Sequence, residues 1–461
     1  MTFKFFPRPG QPCFVNFLLQ EFRSPRDKNR DNHGLPQTGD GVHSPGNAIT
    51  VTTQPSIKKS KSVSFWNTAA CFVWIIVLLV LIARPLVAWH RGTSFDTYNL
   101  AGSHWLRGEN LYSQWMGFVY SPVVAAFFAP FALVSAPLAN IIWRLLNAAV
   151  LLGGFHSISP LFAAIKSPER GLGYLLLAPL ALGNIDISQA NPLVAGLIML
   201  AIAAVYRQQW NWAALCLSIA IFFKIYPLAV GLLICVIAPR RFAWRLFCAL
   251  LLLALVPFLF QHWPYVSHQY DLWFSTRMAD NRKNWPVEKL PLDLWFLIHW
   301  VLHLPIPQKL FSVIQLASVL AIALFCAFGT WKKWSPERVL IGLFCLSAVW
   351  MTVCGPATES YTYLLLAAPT ILVFLQSLHS RQPLWMRIGI WASIAMQYLA
   401  VARASFIPHF KPSWILAALP VSALLFLSYC LAWLLSDIPW TEQRGSRLST
   451  SEGHLRFRIL E

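Results

Sequence analysis

The residue types best suited to chemistry lie in a polar stretch between two hydrophobic runs. It reads Ser94-Phe-Asp96-Thr-Tyr98-Asn-Leu-Ala-Gly-Ser-His104-Trp-Leu-Arg107-Gly108-Glu-Asn-Leu-Tyr112 and is followed by Tyr120-Ser-Pro122. Asp96 stands just beyond an apolar run, where a carboxylate must be partnered or hydrated to offset its desolvation. Two roles fit it. Ionised, it is a general base for an attacking hydroxyl. Alternatively it is a cap: Ser94 or Asp96 starts a short helix that runs to Arg107 and ends on a left-handed Gly108. Leu100, Trp105 and Leu106 against Asn99, Ser103 and Arg107 lay that helix along a membrane interface.

A second group of candidates sits where apolar runs are broken. Lys224, deep in the run 212–238, is followed by Pro227. A cation there either snorkels or pairs with Asp186, or binds an anionic group such as a phosphate at a broken-helix tip. The other break is Asn184-Ile-Asp186-Ile-Ser-Gln189-Ala-Asn191-Pro192. Gln189 and Asn191 there either satisfy freed backbone groups or bind hydroxyls. Glu359, at the start of a run, is a second cavity carboxylate or a helix N-terminal charge. A loop over 262–290 mixes Trp263, Tyr265, Tyr270, Trp273 and Trp285 with Arg277, Arg282 and Lys283. It is an interfacial aromatic belt or a ligand-contacting surface. Arg403, His409 and Lys411 suit lipid headgroups.

The elements that must hold these residues are set by composition. Of 461 residues 57% are hydrophobic and 12% charged, half the charge of an ordinary soluble chain. Apolar runs near the length of a membrane span recur at 67–89, 118–136, 138–157, 171–183, 190–206, 212–238, 242–261, 291–304, 308–330, 338–354, 360–378, 386–405 and 413–435. The expectation is an all-α, polytopic helical membrane protein with about 11–13 transmembrane helices, the topology of 138–170 staying open. Residues 1–64 read as a disordered basic cytoplasmic tail, 65–435 as the transmembrane domain, and 436–461 as a C-terminal tail. The first outward loop is 90–117 and the second 262–290. The net charge of +18 is concentrated in the N-terminal tail and in loops such as Arg240-Arg241 and Lys332-Lys333. That is the positive-inside pattern, with anionic lipid as partner, and no basic face is left for nucleic acid. The nine cysteines form no Cys-x-x-Cys, so neither a disulfide framework nor a zinc site is indicated. The phosphate-binding Gly-x-x-x-x-Gly-Lys loop, the His-Glu-x-x-His pair and the Gly-x-Ser-x-Gly elbow are absent from the sequence.

Taken in order, Asp96-x-Tyr98, Gly108-x-x-x-Tyr112, Tyr120-x-Pro122, Trp143-x-x-x-Asn147, Gln189-x-Asn191 and Lys224-x-x-Pro227 resemble glycosyltransferase family 87, over residues 67–240. The resemblance implies the architecture of C-type membrane glycosyltransferases. It also implies transfer of a hexose, often mannose, from a polyprenyl-phosphate sugar to a lipid or glycan acceptor with inversion. Asp96 maps onto the proposed base, and Lys224 onto the lysine expected near the donor phosphate, with Arg277 or Arg282 beside it. Tyr98, Tyr112, Tyr120, Gln189, Asn191 and Glu359 are the expected substrate contacts. No cofactor or metal is expected, the polyprenyl-phosphate sugar being a substrate. The expected location is the cell (inner) membrane with the site on the outer side. Two departures stand out: the family's Gly-Gln-x-Asn reads Ser188-Gln189-Ala-Asn191 here, and Glu359 stands where the resemblance leads one to expect a more neutral or His-containing motif. The competing expectation is a secondary transporter with a midplane site around Asp186 and Lys224.

Overall fold

Long apolar runs become helices because hydrocarbon offers backbone groups no partner outside the segment. The computed structural model describes residues 57–87, 92–113, 117–165, 167–280, 290–355, 358–380, 382–406 and 413–436, and among these every regular element is helical. Eight of the described helices are long and apolar enough to cross a membrane. The protein is an all-α polytopic membrane protein.

Helix α1 (Ile57–Val87) starts inside the segment assigned to the tail. It leads to α2 (Ser94–Arg107), the short helix expected from the polar stretch, which ends on Gly108 at φ 68°. Next come α3 (Pro122–Phe128) and a 3-10 turn at Pro130–Leu133. The run 118–136 is therefore not a span: Pro130 breaks it, and seven helical residues reach only about 10 Å. The crossing is α4 (Ala136–Ile158) alone. It resolves the segment left open and carries the chain to the side opposite α2. Helices α5 (Ser167–Asp186) and α6 (Asn191–Tyr206) meet at the first break. Helices α7 (Trp210–Phe223) and α8 (Leu228–Ile237) meet at the second, so the run 212–238 is two helices. A π turn at Pro239–Ala243 opens α9 (Trp244–Leu255), and α10 (Trp263–Ala279) follows in the second loop. The run 291–304 is not a span either. It holds only α11 (Leu294–Phe296) and a π turn at Leu297–Val301. The rest of the bundle is α12 (Gln308–Trp331), α13 (Pro336–Val353), α14 (Leu364–Ser377), α15 (Leu384–Phe406), α16 (Ser413–Leu416) and α17 (Ala418–Leu435).

Hydrogen bonds between loops define two ends of the bundle. At one end the Ser94 N–H donates to Ile187 C=O at 2.9 Å, the Ser121 hydroxyl to Phe222 C=O at 3.1 Å, and the Leu292 N–H to Thr358 C=O at 2.7 Å. Both helix breaks therefore lie beside the first loop. At the other end Arg207 donates to Ser157 C=O at 3.1 Å, Arg241 to Gln208 at 3.3 Å, and Tyr206 to Glu337 at 3.1 Å. The basic loops thus gather at the end away from Asp96.

Helices α4 and α6 form the most extensive helix pair. Small residues permit this: a Cβ added at Gly154 would lie 2.5 Å from the Gly196 carbonyl oxygen, the backbone-to-backbone approach typical of packed membrane helices. At Gly153 an added Cβ meets nothing within 4 Å. Gly196→Val is therefore expected to destabilise by about 1–3 kcal/mol and lower the melting temperature in detergent, with Gly153→Val close to wild type. Equal melting of the two variants would remove the close-approach argument.

Candidate functional site

The site is built on the α5–α6 break, whose polar residues are gripped from α4. Arg144, only 4% exposed, donates to Leu81 C=O of α1 at 2.9 Å, Asn140 Oδ1 at 3.1 Å, Ser188 Oγ at 3.0 Å and Asp186 C=O at 2.5 Å. The Asp186 carboxylate lies 3.8 Å from Arg144 and is ion-paired with Arg84 of α1. Asp186 is thus committed to two arginines of neighbouring helices, not to Lys224. Trp143 Nε1 donates to Ser188 C=O at 2.9 Å, and Asn147 Oδ1 accepts the Leu193 N–H at 3.0 Å. The second contact satisfies one of the amides that α6 leaves open in its first turn.

Ser188 stands where the family's glycine is expected, and it has φ 60°. That left-handed backbone is costly for a residue with a Cβ. The hydroxyl offsets the strain, donating to Asn140 Oδ1 at 2.7 Å and accepting from Arg144. The side chain that strains this tight turn also ties it down.

Asn191 links the two breaks, donating to Asn184 Oδ1 at 3.1 Å and accepting from the Tyr226 hydroxyl at 3.2 Å. In this arrangement Asn191 holds the two breaks together. Gln189 keeps a buried amide oxygen with no hydrogen-bond partner among the described residues. Lys224 Nζ lies 5.4 Å from the centroid of the Tyr120 ring, within cation–π range. Tyr120 is the meeting point of the first loop: its hydroxyl is 3.0 Å from that of Tyr98, and its carbonyl accepts from the Tyr112 hydroxyl at 2.7 Å. Tyr98 is fully buried and stacks on Phe128. Burial raises its pKa, the Tyr120 phenol adds to the rise, and the Glu359 charge adds a smaller part. Glu359 is thus electrostatically coupled to the first loop. It also heads the 3-10 turn Ser360–Tyr363 in a capping box with Thr362, so the helix-charge reading of this residue holds at the least.

Asp96 is exposed on the first turn of α2. The N-cap is Thr93, neither Ser94 nor Asp96, because Thr93 still has extended backbone (φ −124°, ψ 167°). Asp96 is the return partner three residues on, its Oδ2 accepting the Thr93 N–H at 2.6 Å. It lines a cavity of about 250 Å³ together with Phe118. Lys224, Gln189, Asn191 and Glu359 do not line that cavity. Phe118 joins it to the lysine side, its ring 5.6 Å from Tyr120.

The second loop packs on the first. Gln261 donates to Trp105 C=O at 2.7 Å, Tyr265 to Glu109 C=O at 2.8 Å, and Gln269 accepts the Leu111 N–H at 3.0 Å. These polar residues of α10 and its approach position the first loop, a role neither expectation for this loop included. Arg277 pairs with Asp280 at 2.8 Å. Burial raises the Tyr112 pKa, with Tyr270 and Tyr265 adding, while the Arg277 charge opposes the rise and so acts across the same cluster. Arg282, like residues 1–56, 407–412 and 437–461, lies outside the described residues. Arg144 was not singled out from the sequence, although a lone arginine inside the apolar run 138–157 is the same signal that marked Lys224.

Compared with known proteins, the profile of glycosyltransferase family 87 matches residues 118–356, more than half of the chain. No curated protein matches it. The matched segment contains Tyr120, Gln189, Asn191, Lys224, Arg277 and Arg282, while Asp96, Tyr98 and Tyr112 precede it and Glu359 follows it.

Ser188 yields an ordering of variants. Ser188→Ala keeps the strained backbone and strips two buried partners, an expected loss of about 1–3 kcal/mol. Ser188→Gly loses the same bonds but relieves about 1 kcal/mol of strain, so it should melt higher than the alanine variant. The reverse order in thermal unfolding would discard the backbone argument.

Proposed function

Because this chain belongs to glycosyltransferase family 87, a family of membrane glycosyltransferases, we propose that it transfers a hexose, with mannose the first candidate, from a polyprenyl-phosphate sugar to a hydroxyl of a lipid or glycan acceptor. The observation that carries the mechanism is the Asp96 carboxylate: exposed at a cavity, with Oδ2 held by the Thr93 amide and Oδ1 without a partner among the described residues. In the proposed step the acceptor oxygen bonds to the anomeric carbon from the face opposite the phosphate, which inverts that carbon. The bond from carbon to phosphate oxygen breaks, its electron pair leaves with the phosphate, and the acceptor proton passes to Asp96. A phosphate departs as a stable anion and needs no acid, so one carboxylate suffices where a glycosidase uses two. Lys224, with Arg277 and Arg282, is proposed to face the donor phosphate and stabilise its developing charge. Tyr98, Tyr112, Tyr120, Gln189, Asn191 and Glu359 are proposed to line the sugar path. The buried, unsatisfied Gln189 oxygen supports a hydroxyl partner there.

The gathering of basic loops at the end away from Asp96 supports a cell-membrane protein with its site on the outer face. A permease built on Asp186 and Lys224 loses its carboxylate, since Asp186 is engaged by Arg84 and Arg144.

Asp96→Asn is the informative variant because an asparagine oxygen still accepts the Thr93 N–H and preserves the helix start. With labelled polyprenyl-phosphate mannose in membranes, this variant is expected to lose about 10²–10⁴ in rate with unchanged expression. Robust transfer by Asp96→Asn would refute the assignment of the base.

A further inference from the structure

The cavity beside Asp96 is built along one face of α2. Asp96, Thr97, Leu100 and His104 all line it, a spacing that follows the helical repeat. Ser113 and Phe118 stand among its other lining residues. At about 250 Å³ it falls below the roughly 300–1,000 Å³ of pockets for drug-sized ligands, so it suits a single ring or polyol. Among the described residues of the lining Asp96 carries the only permanent charge, and none is a lysine or arginine. An anionic head group would therefore meet like charge with no compensating cation.

His104 is oriented from outside the cavity. Its Nε2 lies 3.5 Å from Glu109 Oε2. Glu109 is itself clamped by Arg107, whose Nε and second terminal nitrogen donate to its two oxygens at 2.8 and 2.9 Å. The Glu109 carbonyl is fixed by Tyr265, and its N–H donates to His104 C=O at 2.9 Å. A carboxylate facing Nε2 fixes the orientation of the ring and leaves its other nitrogen for a ligand. The arrangement is the one that orients an imidazole toward a ligand, with Arg107 keeping the carboxylate in place.

We propose that this cavity is the acceptor pocket, that it takes a neutral, hydroxyl-rich head group, and that His104, oriented by Glu109, is the positioning residue that presents the acceptor hydroxyl to Asp96. The proposal rests on the transferase reading above and adds the acceptor's chemical class and the residue that selects it. It also separates the two substrates: the anionic donor phosphate belongs on the Lys224 side of the Phe118–Tyr120 pair, the neutral acceptor on the Asp96 side.

The test uses the full chain in phospholipid nanodiscs, with Thr97→Cys and Ser113→Cys as reporters labelled by a maleimide. Methyl α-mannoside serves as the neutral probe and glycerol 3-phosphate as the anionic one, at matched ionic strength. The mannoside should slow labelling at both reporters several-fold, and the phosphate should not. Adding His104→Leu should abolish the protection, and His104→Gln, which keeps a donor and an acceptor, should restore most of it. In transfer assays with the mannoside as acceptor, His104→Leu should raise the acceptor KM about tenfold, leaving kcat and the donor KM near wild type. Equal protection by the phosphate, no protection by the mannoside, or a His104→Leu effect on the donor KM would each overturn the proposal. Protection together with full transfer by Asp96→Asn would instead overturn the base assignment and leave the pocket standing.

Discussion

Arg144 is the residue on which the site's geometry depends. A guanidinium buried in a helix bundle is unfavourable by several kcal/mol unless its donors and its charge are both satisfied. Here they are satisfied only if three things coincide: α1 presents the Leu81 carbonyl, α5 ends at Asp186, and the chain then turns through Ser188. Each condition fixes one element against α4. The α5–α6 break is thus held in place by a network in which removing any one member leaves another buried polar group unpaired. The consequence reaches Asp96 through one bond, the Ser94 N–H to Ile187 C=O. It anchors the start of α2 to the turn that Arg144 holds.

From that anchor the first loop is organised by Tyr120, which collects Tyr98, Tyr112 and Lys224. The aromatic layer is rigid for a simple reason. Its members are packed on both sides, Tyr98 stacking on Phe128 and touching Trp143 edge-on. Trp143 in turn holds Ser188. Packing in the first loop and hydrogen bonding at the helix break are therefore one system, joined through adjacent residues of α4.

Much of this was legible in the sequence where a local rule acts alone. Pro192 and Pro227 with their polar neighbours announced the two breaks, and Ser94 to Gly108 announced α2. The rules failed where two effects compete. Residues 118–136 and 291–304 are apolar enough to read as spans, but proline at 130, and at 305 and 307, stops the helices short. Hydropathy averages over such stops. The N-cap fell to Thr93 because its extended backbone, not its side-chain type, decides the position. Serine at 188, where a glycine is expected, reads locally as a strain on the turn, since the Arg144 and Asn140 partners that offset it lie on another helix and are invisible to local reasoning. The same holds for His104, whose meaning depends on a cavity that only the fold creates.

The separation of charges bears on why one carboxylate can serve as a base here. If Asp96 paired with Lys224, the lysine would stabilise its ionised form and weaken it as a proton acceptor. The described residues lining the Asp96 cavity include no lysine or arginine, while Lys224 is engaged on the Tyr120 ring beyond Phe118. A substrate pair whose leaving group is anionic and whose attacking group is neutral makes opposite electrostatic demands at its two ends. A cation suits the departing phosphate, and an uncompensated carboxylate suits the hydroxyl that must lose a proton. An aromatic layer meets both demands at close range, because it neither screens the cation as water would nor supplies a countercharge to the carboxylate. In the proposed reaction Phe118 and Tyr120 are thus the partition that lets one short loop carry both a base and a route to a phosphate-binding cation.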